Sequence, residues 1–260
     1  MPSIFPLEIE EMVLDLLAEE DEGHSALKMC SLVCQTFLPI CRKHIFGSIV
    51  LNDHKFNALS PFTTHAFERL LHETPEIANY IRKLDYTIQC ADLESPSNQE
   101  SLKRISSLKF LGVRHPSHTR LELNWSNNPI RPALLHLLHL PTLTHLSVTN
   151  IKDFVVSDLI PCVNLKYLDI GRYTTGAAEF TFHAALPEHL IQLNEFVAGI
   201  KSPTAIMKLC TARRPDGQPI INFGSLSKIT MEIENPYEVE ASQELFRHCH
   251  FLTNVDISCK

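Results

Sequence analysis

Glycine is scarce in this chain, eight in 260 residues, which leaves few places where a backbone could close on a phosphate or turn sharply beneath a nucleophile. No G-x-S-x-G elbow, phosphate-cradling glycine loop, H-E-x-x-H pair or C-x-x-C occurs. Basic charge is short too: 23 Lys and Arg stand against 30 Asp and Glu, a formal net charge of −7. That balance argues against a nucleic-acid partner, because binding a phosphate backbone requires clustered cations that release counterions. The acidic N-terminus lacks the basic and apolar regions of a secretory leader and the Arg-rich composition of a transit peptide, so the expected compartment is cytosol or nucleus. No run suits a bilayer either. The longest uncharged stretch, Pro132 to Ile151, carries His136, His139, His145, two prolines and several Thr and Asn. Eight cysteines without paired spacing read as reduced thiols, most of them small buried side chains, and no disulfides are expected.

What the chain does have begins with an asymmetry. Residues 1 to 27 hold eight acidic side chains and no Lys or Arg, which marks a separate N-terminal unit. Within it Ile9, Met12, Val13, Leu16 and Leu17 recur at helical spacing, with Glu8, Glu11, Asp15 and Glu19 opposite, predicting a helix over residues 6 to 20. Pro6 suits its first turn, and Gly23 is placed to close it through a left-handed conformation. Ser25 is a candidate cap for a second helix carrying Leu27, Cys30, Val33, Cys34 and Phe37, and Pro39 permits a third through Phe46. Three short helices in 46 residues bury only part of their apolar surface, so something else must cover them.

Ser48 to Leu51 reads as a brief strand and Pro61 to Thr74 as a helix stopped by Pro75. Residues 91 to 101 are polar and rich in turn formers, and are expected to be an exposed loop. Beyond them one spacing recurs, Leu-x-x-apolar-x-apolar: Leu143, Leu146, Val148; Leu165, Leu168, Ile170; Leu193, Phe196, Ala198; Leu226, Ile229, Met231; Leu252, Val255, Ile257. The copies begin 22, 28, 33 and 26 residues apart, bracketing the leucine-rich-repeat period irregularly, with weaker echoes at Ile81, Leu84, Tyr86 and at Leu108, Leu111, Val113. The last two apolar positions alternate on a short strand and point inward, and the segments between, such as Phe154 to Leu159 or Gln243 to Cys249, supply covering helices. The alternative is a plain α/β domain whose strands share the spacing by chance.

Phe5-Pro6-Leu7-Glu8-Ile9, then Ser31-Leu32-Val33-Cys34-Gln35-Thr36-Phe37-Leu38-Pro39, then Arg42-Lys43-His44-Ile45-Phe46 resemble the F-box, particularly the form found in mushroom-type fungi. The resemblance spans about residues 4 to 50. Phe5 stands where the family has Leu, Gln35 replaces its usual basic residue, and Phe37 replaces its usual Trp. The expected fold class is therefore α+β or α/β and solenoid-like: a three-helix F-box module over residues 1–50, a connecting helical segment over 51–79, and an irregular leucine-rich-repeat-like domain over 80–260. The resemblance implies docking on the Skp-type adaptor of a cullin–RING ubiquitin ligase, with a protein target held by the repeats. The partner-binding positions it implies are Phe5, Pro6, Leu7, Ile9, Met12, Val13, Leu16, Leu27, Val33, Cys34 and Phe37. The repeats depart from their family, since Ile151, Tyr173, Lys201, Glu234 and Lys260 stand where an asparagine ladder is usual, so a distorted solenoid is expected.

Catalytic and metal sites find weaker support. Cys30, Cys34 and Cys41 are near one another, but Cys30 and Cys34 share the apolar face of the second helix. His136-x-x-His139 and His248-Cys249-His250 sit among leucines without a second ligand pair. Asp153 with Asp158, or Glu232 with Glu234, would make an acid/base couple only across a shared cleft. Trp125, between Asn124 and Asn127, is placed on an exposed turn, and Arg213 and Arg214 on a loop where they could meet an anion. The expectation is a non-catalytic adaptor with no cofactor and no metal. An F-box-like scaffold without a role in ubiquitination and a small hydrolase in the C-terminal domain are the alternatives.

Overall fold

The structure, a computed structural model, describes residues 6–20, 23–52, 63–88, 96–116, 123–177 and 186–259. Three helices come first: α1 (Leu7–Ala18), α2 (Gly23–Val33) and α3 (Phe37–Ile45). Pro6 precedes α1 in extended conformation and its carbonyl accepts from the amides of Ile9 and Glu10. Gly23 does not close α1 in a left-handed turn; it opens α2, and a Cβ there would lie 2.0 Å from the Leu17 carbonyl oxygen. Glycine is required by the close approach of the second helix to the end of the first. The three helices pack around a small core of Leu14, Leu27, Ile40 and Cys41, with Leu17, Ala18, Cys30 and Phe37 at its margin.

Eight strands then form one all-parallel sheet in strict chain order: β1 (Ser48–Leu51), β2 (Lys83–Thr87), β3 (Phe110–Arg114), β4 (His145–Thr149), β5 (Tyr167–Ile170), β6 (Glu195–Ala198), β7 (Lys228–Ile233) and β8 (Asn254–Cys259). Such a sequence of parallel neighbours, each reached by its own crossover, is consistent with a leucine-rich-repeat-like sheet. The recurring sequence spacing falls in register. Leu84, Leu111, Leu146, Leu168, Phe196, Ile229 and Val255 form one row across the sheet, and Tyr86, Val113, Val148, Ile170, Ala198, Met231 and Ile257 the next. Ile49 and Leu51 extend both rows onto β1, so the repeating structure starts at residue 48 and takes in the segment expected only to connect.

Between strands the covering layer is mixed. Helices α4 (Thr64–Glu73), α5 (Pro96–Lys103), α6 (Arg131–Leu138), α7 (Pro203–Thr211) and α8 (Pro236–Arg247) serve five crossovers. The segment expected as a helix at Phe154–Leu159 is instead a two-residue strand followed by a 3-10 turn, Val156–Leu159. Of the polar segment 91–101, residues 91–95 lie outside the described residues, and the remainder opens α5, where Asn98 is buried and donates to the Tyr86 hydroxyl at 2.8 Å. Proline at the first helical position and a buried polar contact override its turn-forming composition.

Two backbone devices hold the stack. At each strand entry, the carbonyl of the preceding repeat accepts from two successive amides, as Lys109 does from Thr144 and His145, and Thr144 from Lys166 and Tyr167. At the strand exits, hydroxyls take over the work of the missing asparagines. Thr174 Oγ1 donates to Val148 O at 3.2 Å and Ser202 Oγ to Gly171 O at 2.8 Å, both residues fully buried, and Asn150 Nδ2 donates to His115 O. One exit uses a carboxylate: buried Glu238 caps α8 and also accepts from the amides of Lys201 and Glu234.

Candidate partner-docking faces

Which residues of the three helices face inward decides what the module can do. On α1 the inward positions are Glu10 and Leu14, with Leu17 and Ala18 at the margin. The longer apolar stripe, Leu7, Ile9, Met12, Val13 and Leu16, is between 42% and 59% exposed. On α2, Leu27 is fully buried while Met29, Leu32 and Val33 are exposed. Half of the sixteen exposed large apolar side chains among the described residues therefore lie on α1 and α2. Scattered apolar exposure is ordinary, but a helix face turned outward as a block marks an interaction surface.

Of the positions implied for partner binding, Pro6, Leu7, Ile9, Met12, Val13, Leu16 and Val33 are exposed, and Phe5 lies outside the described residues. Leu27 belongs to the module's own core and Phe37 packs against it, so these two shape the helices without lying on the surface. Cys34 is half-buried; its Sγ lies 2.6 Å from Thr36 Oγ1, and that hydroxyl together with the Phe37 amide holds its thiol below the usual range. Met29 and Leu32, which the resemblance did not single out, are exposed beside Val33, and their spacing places all three on one side of α2. Asp15 and His44, 2.7 Å apart, tie α1 to α3, and Arg42 and Glu76, 3.0 Å apart, tie α3 to the sheet domain.

The sheet offers a second face. Its helix-covered side is the core, and on the other side the outward rows carry polar and aromatic groups. Phe110 and His145 stack with ring centroids 3.9 Å apart, and Tyr167 continues the series at 5.4 Å. They border a recess of about 350 Å³ that also includes Asp85, Gly112 and Ser147. Burial lowers the proton affinity of His145 and raises that of the Asp169 carboxyl. A larger recess of about 550 Å³ lies between the starts of α7 and α8, beside Lys201, Met207 and Tyr237.

The other candidate groups turn out to be structural. Trp125 is buried rather than exposed: its indole packs edge-on against Phe154 at 5.1 Å and its Nε1 donates to Asp158 at 2.7 Å. Asp158 also receives Arg131, and Asp153 receives Asn124, so these two acids serve different donors and share no cleft. Glu232 is held by Arg172 in a two-point contact and Glu234 lies 3.7 Å from Lys201. Arg214, expected on a loop, is buried, spent on the Pro187 carbonyl and Asp216, and Arg213 donates to the carbonyls of Cys210 and Ala212. His139 meets the Asp158 carbonyl, His248 meets Glu244, and burial pushes the Cys249 thiol up to about 11. Among the described residues no group of three His, Cys, Asp or Glu is arranged to hold a metal, and no helix is long and apolar enough to cross a membrane. Compared with protein-family models, curated proteins and solved structures, the chain matches none of them.

Proposed function

We propose that this protein is the substrate-recognition adaptor of a Skp–cullin–F-box ubiquitin ligase, docking on the Skp-type subunit through α1 and α2 and holding a protein target on the sheet domain. The observation that carries the reading is the outward apolar stripe of α1. A helix that packed only on its own chain would turn Ile9, Met12, Val13 and Leu16 inward, whereas here Leu14 and Leu17 fill that role. Burying each large apolar side chain in an interface contributes about 1.5–3 kcal/mol before ordering costs, so four or five anchors suffice for a stable complex. The F-box-like residues from Pro6 to Phe46 supply the identity of the partner, and the repeat-like sheet supplies a rigid platform for a target. Catalysis in such an assembly is by proximity: the adaptor holds target lysines near a ubiquitin-charged enzyme and performs no bond chemistry itself.

The reading is tested by mixing the purified protein with a Skp-type adaptor and a cullin–RING pair and following co-elution by size exclusion. Wild type is expected to enter the complex and the double substitution Pro6→Ala, Leu7→Asp to stay out. A folded wild-type protein that elutes alone would contradict the assignment.

A further inference from the structure

The two ends of the sheet are finished differently. At its start, β1 sets Ile49 and Leu51 in the two core rows, and both are fully buried. At its end, β8 sets Val255 and Ile257 in the same rows, and they are 47% and 42% exposed. Among the described residues no strand pairs with the far side of β8, and Phe251, on the bend that leads into it, is exposed as well. An open sheet edge is ordinarily protected by lysine, proline, a bulge or a covering segment. β8 runs in unbroken register beside β7, and its sequence, Asn254-Val255-Asp256-Ile257-Ser258-Cys259, holds neither lysine nor proline.

The hydrogen-bonding groups of that edge follow from the pairing on the other side. Asn254 donates its amide to the Ser227 carbonyl, which starts the alternation of a parallel pair. Asn254, Asp256 and Ser258 spend their amides and carbonyls on β7, and those of Val255, Ile257 and Cys259 point to the free edge. A strand laid antiparallel on this edge makes its bonded pairs at those three residues. For a second copy of β8, related by a two-fold axis normal to the sheet, the register centred on Ile257 uses all three: Ile257 pairs with its own copy, and Val255 and Cys259 pair with each other. Apolar side chains then meet on the core side, and on the opposite side the Ser258 hydroxyl faces the Asp256 carboxylate. Shifted to centre on Asp256, Val255 pairs with Ile257, Cys259 is left out, and the two Asp256 carboxylates stand directly opposite, where like charges are destabilising.

We propose that this protein forms a two-fold dimer by edge-to-edge pairing of β8 with β8 of a second copy, in the register centred on Ile257. An isologous contact requires a surface complementary to itself, and β8 meets that condition in its free backbone groups, its apolar residues and its one charge together. Pairing covers Val255 and Ile257 as each earlier copy of the repeat is covered by the next. Asp256 serves to select the register. A strand from an unrelated protein would satisfy the same backbone groups without calling for a β8 sequence that matches itself. The joined sheets are continuous, with both core layers on one side and both open faces on the other, so a target carrying two sites would be held by both copies. Dimerisation does not depend on the docking of α1 and α2.

Sedimentation velocity of the full chain across the micromolar range is expected to show a species of twice the chain mass. Ile257→Lys sets two cations against each other at the two-fold axis and should leave monomer alone, with an unfolding midpoint close to wild type because the position is already partly exposed. The register is read by mild oxidation in a Cys259→Ser background, with that background chain as the blank. Adding Ile257→Cys should cross-link two chains, since the Cα atoms of a bonded antiparallel pair lie about 5.5 Å apart, within disulfide reach. Adding Asp256→Cys should not, since its two copies are then diagonal neighbours about 7–8 Å apart. A wild-type chain that stays monomeric, a dimer that survives Ile257→Lys, or cross-linking at position 256 in preference to 257 would overturn the proposal.

Discussion

The helical module and the sheet domain use the same kind of apolar periodicity to opposite ends. In the sheet domain the recurring positions of the first four copies, such as Leu146 and Val148 or Leu168 and Ile170, face the core and are about 1% exposed or less, while those of the last copy, Val255 and Ile257, have no further copy beside them and are 47% and 42% exposed. In α1 four members of the predicted stripe, Ile9, Met12, Val13 and Leu16, face solvent, while its fifth, Leu17, turns to the core beside Leu14, which the stripe did not include. Periodicity thus identifies a face and leaves open what lies against it. In a stacked repeat the neighbour is the next copy, so the face is buried by the chain itself; in a module of three short helices there is too little chain to cover every stripe, and one remains exposed.

Substitutions at matched positions should separate the two uses sharply. Leu168→Ala, in the centre of the sheet, is expected to cost about 2–5 kcal/mol in urea unfolding, since it empties a packed site. Leu16→Ala on α1 should change stability by no more than about 0.5 kcal/mol, and a large loss there would mean that the stripe packs on this chain after all. Next in size is Ser202→Ala, which strands the Gly171 carbonyl and the Thr174 amide in the interior. We expect about 1–3 kcal/mol for those buried groups, and a negligible change would show that the hydroxyl ladder is incidental.

The smallest effect has the opposite sign. Burial raises the Asp169 carboxyl above its unfolded value, so the folded protein binds that proton more tightly, and its stability falls as pH rises through the folded-state value. Asp169→Asn should therefore melt slightly above wild type at neutral pH, with the difference closing below the ordinary carboxylate range. A variant that is less stable at neutral pH would show that the charge supports the sheet.

Much of the sheet was legible because its signal is repeated. Five copies of one spacing predict five strands, and even the weak echoes at Leu84 and Leu111 fall in the same rows. Single features were harder to read. Trp125 sits among polar neighbours, yet Phe154 and Asp158, about thirty residues away, draw it inside; no local pattern announces such a pairing. Gly23 has the composition of a helix stop, and only the approach of α2 to the Leu17 carbonyl explains why it starts a helix instead. The absent asparagines were plain in the sequence, but their replacement by Thr174 and Ser202 depends on which carbonyls the strand exits leave exposed. At the candidate docking face the stripe was visible and its direction was not, because Leu27 and Val33 share a helix and differ only in whether α3 covers them.

The central claim, that the outward stripe of α1 is a docking surface for a Skp-type adaptor, is tested most directly by calorimetric titration of that adaptor into wild type and into Met12→Asp, Leu16→Asp, with unfolding midpoints measured on both. The account predicts that wild type binds and that the double variant loses binding while its midpoint stays close to wild type. Undiminished binding by the folded double variant, or no binding by wild type, would contradict it.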